Sequence, residues 1–167
     1  MRLVAACAGR LTMVLATALL AGCAAAPPAG GDGGAQVWTW SGERRIDAMV
    51  EVPAGVTLRL EPGTVLRFAF VDRDGDGVGD AGLHVLGRVE ARGAAGAPVV
   101  LTSAEPQPQP GDWQGLVFDN SQGNRFAECR LEYAQHALHA HFSSATVERC
   151  RLERNIARRA GEAIVDF

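Results

Sequence analysis

A 21-residue internal repeat constrains the fold of this 167-residue chain more than any other feature of its sequence. Residues 126–132 (FAECRLE) recur as residues 147–153 (VERCRLE), displaced by 21 positions. Residues 115–117 stand in the same phase as residues 136–138. Repeats of this length with short apolar runs are typical of solenoids, in which each unit buries its apolar side chains only against its neighbours. The repeat therefore predicts stacked β-units.

Within each repeat, apolar and charged residues alternate, as in a strand with one buried face. Cys129 and Leu131 flank a charged residue, and the second repeat keeps this order. The step from Phe126 to Cys129, like that from Val147 to Cys150, spans three residues and breaks the alternation. We expect a corner or bulge there that turns these apolar side chains inward, with the charged residues outward. Equivalent side chains should then stack at the strand spacing of about 4.8 Å.

Short alternating runs upstream of the repeat predict further strands. They occupy residues 56–60, 64–70, 83–86 and 99–102. Glycine, proline or aspartate lies near the ends of these runs, and no amphipathic helical pattern precedes the last dozen residues. An aromatic content of 6% and a total of 20 glycines suit a fold with many turns. The predicted fold class is all-β.

Several segments resemble right-handed parallel β-helix repeat proteins of the pectate-lyase-like superfamily. They are residues 55–68, 82–93, 98–103, 111–115 and 152–155. The last segment ends on Asn155, where such solenoids often place an asparagine at the step from strand to turn. The resemblance covers residues 37–157 and implies a short right-handed parallel β-helix of about five coils. This architecture hosts lyases, hydrolases, adhesins and inert scaffolds, so the resemblance implies a fold and no particular function.

The N-terminus has the pattern of a bacterial lipoprotein signal. Two arginines and a short apolar stretch precede the sequence LAGC at residues 20–23, which resembles a lipobox. This resemblance implies cleavage before Cys23 and acylation of its sulfur, and several acyl chains hold a protein firmly to a membrane. Ala24, in place of aspartate, implies sorting to the outer membrane of a Gram-negative host. An ordinary secretory signal that contains a cysteine is the alternative.

The chain therefore divides into three parts. Residues 1–22 are the signal peptide, residues 23–36 are the acylated cysteine and a flexible tether of mostly alanine, proline and glycine, and residues 37–167 are the β-domain. A strand-like run lies just before the end of the chain at Phe167. Solenoids hide their last edge. The final residues thus form a cap, or the edge is an interface, or the domain is incomplete; the abrupt end favours the third interpretation.

Residues 72–80 (DRDGDGVGD) have the spacing of a calcium loop. Aspartates occupy positions 1, 3, 5 and 9, glycine occupies position 6, and position 7 offers a backbone carbonyl. The expected ligands are Asp72, Asp74, Asp76, Asp80 and, through its carbonyl, Val78. The run resembles thrombospondin type 3 repeats and, more loosely, an EF-hand loop, although Leu83 stands where an EF-hand has an acidic residue. We expect a structural Ca²⁺ here, with a solvated acidic loop as the alternative.

His139 and His141 are a second, weaker candidate for a metal site. Residues two apart on a strand share one face, so both imidazoles can approach one transition-metal ion. No third ligand follows at a typical spacing, and stacked, hydrogen-bonded side chains are the favoured alternative. His84 stands alone in the sequence and indicates no site.

Cys129 and Cys150 lie one repeat apart and should stack in neighbouring units. The oxidising cell envelope permits a disulfide between them. Directly stacked strands hold Cβ atoms about 4.8 Å apart, however, which exceeds the usual span of a disulfide. Two buried thiols are therefore favoured over a disulfide.

Two classes of function remain. The first is a non-catalytic envelope lipoprotein, bound to the membrane through Cys23, whose surface serves as a scaffold or binds polysaccharide or envelope proteins. The second is a carbohydrate-active enzyme of the lyase or hydrolase type, or a truncated relative, in which Arg149 and Arg151 would neutralise an acidic sugar. About five coils leave little groove for a polymer, which favours the first class. The net charge of −3 argues against a nucleic-acid partner.

Overall fold

Strands account for the regular secondary structure of residues 36–156 and 165–166, which are the residues that the computed structural model describes. The strands are β1 (Gln36–Trp40), β2 (Glu43–Ile46), β3 (Met49–Val52), β4 (Val56–Leu60), β5 (Val65–Phe68), β6 (Gly82–Val85), β7 (Arg88–Arg92), β8 (Val99–Ser103), β9 (Trp113–Asp119), β10 (Asn124–Ala127), β11 (Cys129–Glu132), β12 (Ala134–His141), β13 (Ala145–Glu148), β14 (Arg151–Glu153) and β15 (Val165–Asp166). The predicted all-β class is confirmed for this region. Within it, we find no helix with the length and apolar character that a membrane span requires.

The strands form three parallel sheets of five strands each. The first sheet contains β1, β4, β7, β10 and β13, the second contains β2, β5, β8, β11 and β14, and the third contains β3, β6, β9, β12 and β15. The strands of the described residues thus follow the same order through the three sheets five times. Neighbouring strands of a sheet are three apart along the chain, so each sheet joins successive three-strand units.

Leucines from successive units stack on the inner face of the second sheet. Leu66 pairs in register with Leu101, Leu101 with Leu131, and Leu131 with Leu152. The first three are at most 1% exposed. Burial of each leucine contributes roughly 1.5–3 kcal/mol, and like side chains stacked at about 4.8 Å pack without voids. The expected stacking of equivalent apolar side chains is confirmed here.

Left-handed backbone conformations at non-glycine residues form corners between the sheets. Glu128 (φ 52°) separates β10 from β11, and Arg149 (φ 52°) separates β13 from β14 at the equivalent position. Tyr133 (φ 66°) and Arg154 (φ 59°) form a second such pair, after β11 and β14. The conformation costs about 1–2 kcal/mol per residue, which hydrogen bonds between units help to offset. The corner predicted from the three-residue step is therefore confirmed.

Buried asparagines connect successive units at the strand ends. Asn155, 8% exposed, accepts a hydrogen bond from the Ala134 N–H at 2.8 Å and donates one to the Leu131 carbonyl at 3.2 Å. Asn124 accepts in the same way from the Val89 N–H at 2.8 Å. These side-chain amides form hydrogen bonds with buried main-chain groups that have no strand partner at the turns. Asn155 occupies the strand-to-turn step at which the resemblance implied an asparagine.

One expectation from the repeat is wrong, because the side chain of Val147 is not buried in the core. Val147 is 41% exposed, whereas Phe126, one unit earlier, is fully buried. Among the described strands, β13 is the end strand of the first sheet, so no described strand of that sheet lies beyond Val147. Glu132, one of the charged residues expected to face outward, follows the buried Leu131 in β11 and is only 8% exposed. The Thr102 hydroxyl donates to its carboxylate at 3.3 Å and the Arg130 guanidinium lies 3.4 Å away, so these partners replace water.

The third sheet departs from the phase of the repeat. Gly115 pairs with His136 as the 21-residue offset predicts. A register shift follows, and Leu116 pairs with Leu138 instead of Ala137. The extra residue in β12 acts as a bulge. It brings Leu138 into the core beside Leu116, where both are at most 3% exposed.

Candidate functional site

The acidic loop, residues 72–80, lies between β5 and β6, at the corner between the second and third sheets. Its backbone curls around the carboxylate of Asp72. The Gly75 N–H donates to Asp72 Oδ1 at 2.7 Å, and the Gly77 N–H donates to Oδ2 at 3.0 Å. Both glycines have positive φ (80° and 83°), a conformation that costs little without a Cβ atom. The glycines therefore allow one carboxylate to accept two main-chain donors.

Three of the four aspartates of this loop bring their carboxylates together. One oxygen from each of Asp72, Asp74 and Asp76 lies within 4.8 Å of the other two. The hydrogen bond from the Gly75 N–H is the main cause that lowers the pKa of Asp72 below its ordinary value. Ionised carboxylates this close repel one another. A divalent cation that takes oxygen ligands would remove this repulsion.

Asp80 and Val78 are placed differently from the three converging aspartates. Asp80 accepts a hydrogen bond from the Arg73 N–H at 2.8 Å, and its carboxylate lies 3.9 Å from the Arg73 guanidinium. The Val78 N–H donates to Asp76 Oδ1 at 2.8 Å. Asp80 thus connects the end of the loop to Arg73 near its beginning, whereas the carboxylates of the other three aspartates converge on one another.

His139 and His141 share the outer face of β12, as their spacing predicted. Their ring centroids are 4.4 Å apart, and the ring of His136 lies 5.3 Å from that of His139. The buried side chains Leu138 and Ala140 alternate with them. The imidazoles therefore lie on the side of the third sheet that faces away from the core.

His84 joins the same face from another strand. Its Nε2 lies 2.7 Å from Asp119 Oδ2, and its Nδ1 lies 3.8 Å from Glu51 Oε2. In register, His84 of β6 pairs with Val117 of β9, and Val117 pairs with His139 of β12. The sequence alone did not indicate this group, because 35 positions separate His84 from Asp119 and no local motif marks the pair.

Cys129 and Cys150 are free thiols in neighbouring units. The Cys129 N–H donates to Cys150 Sγ at 3.3 Å, and the Cys129 thiol donates to the Ala127 carbonyl at 3.3 Å. Burial, with a further contribution from Cys150, raises the pKa of Cys129 to about 12. The Cys129 thiol is therefore protonated at neutral pH, which makes it a poor nucleophile and a poor metal ligand. Two free thiols were the favoured interpretation, but only Cys129 is buried as expected, whereas Cys150 is half-buried.

Arginines near the end of the described region have partners in the preceding unit. The Arg149 guanidinium donates to the Glu128 carboxylate, and this hydrogen bond raises the pKa of Arg149. Arg154 donates to the Tyr133 hydroxyl at 2.7 Å. Arg149 and Arg151 line one shallow depression that also includes Glu128. One of the two arginines considered for a lyase is thus already paired with a carboxylate.

The predicted lipidation site, Cys23, lies outside the described residues, as do the signal peptide and residues 23–35 of the tether. Comparison with known protein families, curated proteins and solved structures finds no match to this chain. Three groups of residues in this chain therefore remain as candidate sites. They are the acidic loop, the histidines and Asp119 on the outer face of the third sheet, and the arginines beside Glu128.

Proposed function

We propose that this protein is a lipid-anchored envelope protein with a short right-handed parallel β-helix of about five coils. Its β-helix is a non-catalytic scaffold or binding surface for glycans or envelope proteins, and calcium stabilises it. The observation that carries the proposal is the strand order, in which the chain enters the three sheets in the same order five times. A chain that winds around one axis produces this order, and parallel crossovers are right-handed in about 98% of cases.

Membrane attachment through Cys23 predicts a clear change on mutation. Cys23→Ser should move the protein from the membrane fraction to the soluble fraction and abolish incorporation of labelled palmitate, because serine lacks the sulfur that is acylated. Cys7→Ser, a cysteine within the signal peptide, is the matched control and should change neither result. Membrane retention and labelling that persist in Cys23→Ser would show that another segment attaches the protein.

Calcium binding by the acidic loop predicts a ligand-dependent gain in stability. A ligand that binds only the folded state stabilises it by about 2.7 kcal/mol at a free concentration 100 times its Kd. The wild-type protein should therefore melt at a higher temperature in Ca²⁺ than in EDTA, and the double variant Asp74→Ala, Asp76→Ala should lose this gain. Circular dichroism melting measures both.

The control for this prediction is Asp47→Asn, which alters an exposed aspartate paired with Arg45 outside the loop. It should keep the full calcium-dependent gain. If Ca²⁺ does not change the melting temperature of the wild type, or raises that of the double variant equally, the loop is a solvated acidic turn and not the calcium site.

The alternative, a polysaccharide lyase, requires calcium and arginine to act on the same uronate. The acidic loop lies at the corner between the second and third sheets, whereas Arg149 lies at the corner between the first and second. This separation favours the non-catalytic proposal. Calcium-dependent cleavage of an acidic polysaccharide that is lost in Arg149→Ala or Arg151→Ala would establish the enzyme instead.

A further inference from the structure

Four potential metal ligands lie around Val117 on the outer surface of the third sheet, and they form two pairs. The first pair is His84 and Asp119, whose side chains are 2.7 Å apart. The second pair is His139 and His141, whose rings are 4.4 Å apart. The second pair is local to β12, but its partners could not be identified from sequence, because they come from β6 and β9.

Strand register sets the distances between the pairs. His84 and His139 both lie beside Val117, so their Cα atoms are two strand spacings apart, about 9.6 Å. Asp119 is the register partner of His141, one strand spacing away, or about 4.8 Å. Imidazoles that extend from opposite sides of Val117 can therefore meet above its small apolar side chain, with the Asp119 carboxylate beside them.

The surroundings of this face suit a bound cation that solvent can reach. The side chains of His84 and Asp119 are 31% and 34% exposed, and His141 is exposed. The Glu51 carboxylate lies 3.8 Å from Nδ1 of His84, the ring nitrogen opposite Asp119. A carboxylate at the second nitrogen of a metal-bound histidine orients the ring and increases its basicity.

We propose that His84, Asp119, His139 and His141 bind one divalent transition-metal ion, with Zn²⁺ as the first choice. Zn²⁺ takes four ligands of the imidazole and carboxylate type, whereas Ca²⁺ requires a shell of oxygens. Among the described residues, only the ligand atoms of Asp72, Asp74 and Asp76 already converge. Metal binding at the third sheet thus includes rotation of the imidazoles, and opening of the His84–Asp119 hydrogen bond. This inference is independent of the lipid anchor and of calcium binding.

The test uses the full chain without a polyhistidine tag, as its expression host processes it, purified in detergent and stripped of metal. Co²⁺ is titrated in excess Ca²⁺, which occupies the acidic loop if that loop binds it, and Zn²⁺ is then added in competition. One equivalent of Co²⁺ should give the visible absorption of a four-coordinate site without thiolate charge transfer, and Zn²⁺ should displace it. Loss of a residue that merely supports a metal ligand costs about 10- to 100-fold in affinity. His84→Ala and Asp119→Ala should therefore each weaken binding at least about tenfold.

His136→Ala is the matched control, because it removes an imidazole from the same strand, next to His139 but outside the ligand set. It should bind Co²⁺ like the wild type. His84→Gln and Asp119→Asn keep the size and polarity of the side chains, so they serve as the ligand variants if the alanine variants melt early.

Three results would each overturn the proposal. The first is a wild-type protein that binds no stoichiometric Co²⁺. The second is an equal loss of affinity in His136→Ala and in the ligand variants. The third is a thiolate charge-transfer band that disappears in Cys150→Ser, which would place the metal at the cysteines.

Discussion

Gly115→Ala is expected to prevent stable folding, with a loss of more than about 4 kcal/mol in the free energy of unfolding. Gly115 lies in β9 at φ 118°, and a Cβ atom placed there would overlap the carbonyl oxygen of His136 on β12. Both strands lie inside the third sheet between neighbours on either side, so neither can move without disturbing the units above and below. The variant should be largely insoluble, or unfold at a much lower denaturant concentration than the wild type.

Gly42→Ala is the control for Gly115→Ala. Gly42 also has positive φ (70°), but no atom lies within 4 Å of the position that its Cβ would take. Alanine there should lower the free energy of unfolding only by the cost of a left-handed backbone conformation, about 1–2 kcal/mol. Equal effects of the two substitutions would show that backbone conformation, and not the close approach of β9 and β12, is what requires glycine at position 115.

Trp113→Ala is expected to lower the free energy of unfolding by about 3–5 kcal/mol. The Trp113 side chain is fully buried and stacks on the ring of Phe68, with centroids 4.1 Å apart and planes 6° apart. Its indole N–H donates to the Glu132 carbonyl at 2.8 Å. Truncation removes this hydrogen bond and leaves a cavity that joins three successive units, since Phe68, Trp113 and Glu132 belong to β5, β9 and β11. Equilibrium denaturation in urea measures the loss.

Two comparisons separate the contributions of Trp113. Trp113→Phe keeps an aromatic ring against Phe68 but loses the N–H donor. It should lower the free energy of unfolding by about 1–3 kcal/mol, because the Glu132 carbonyl is left unpaired. Trp40→Ala alters a half-buried tryptophan in the first strand, and its cost should be smaller than that of Trp113→Ala. If Trp40→Ala proves as costly as Trp113→Ala, the stack on Phe68 is not a central stabilising contact.

Strand positions were predictable wherever one face of a strand is buried in regular alternation. β4 matches the predicted run at residues 56–60, because its residues alternate between the core and the partly exposed face along its whole length. The corner at Glu128 was also predictable, since two inward residues three positions apart require the chain to turn between them. The exposure of Val147 was not predictable. It depends on the position of β13 as the end strand of the first sheet in the described part of the chain, and the repeat itself looks the same in both units.

The candidate sites also differ in how far the sequence could predict them. The acidic loop could be predicted because its carboxylates are neighbours in the chain and only the local turn has to bring them together. The contact between His84 and Asp119 could not, because it depends on the register between β6 and β9. Loops of unequal length precede these strands, and the 21-residue period applies only to later units.

From the sequence alone, the period, the alternation of inward and outward residues along each strand and the acidic loop followed, because each depends on interactions within about one repeat of the chain. The tertiary structure decided which strands pair and in which register, including the bulge at Ala137 that places His139 beside Val117. The physical reason is that parallel pairing across successive units is set by core packing. A shift of one residue exchanges the buried and exposed faces of a strand, so only the packed structure brings His84, Asp119, His139 and His141 to one surface.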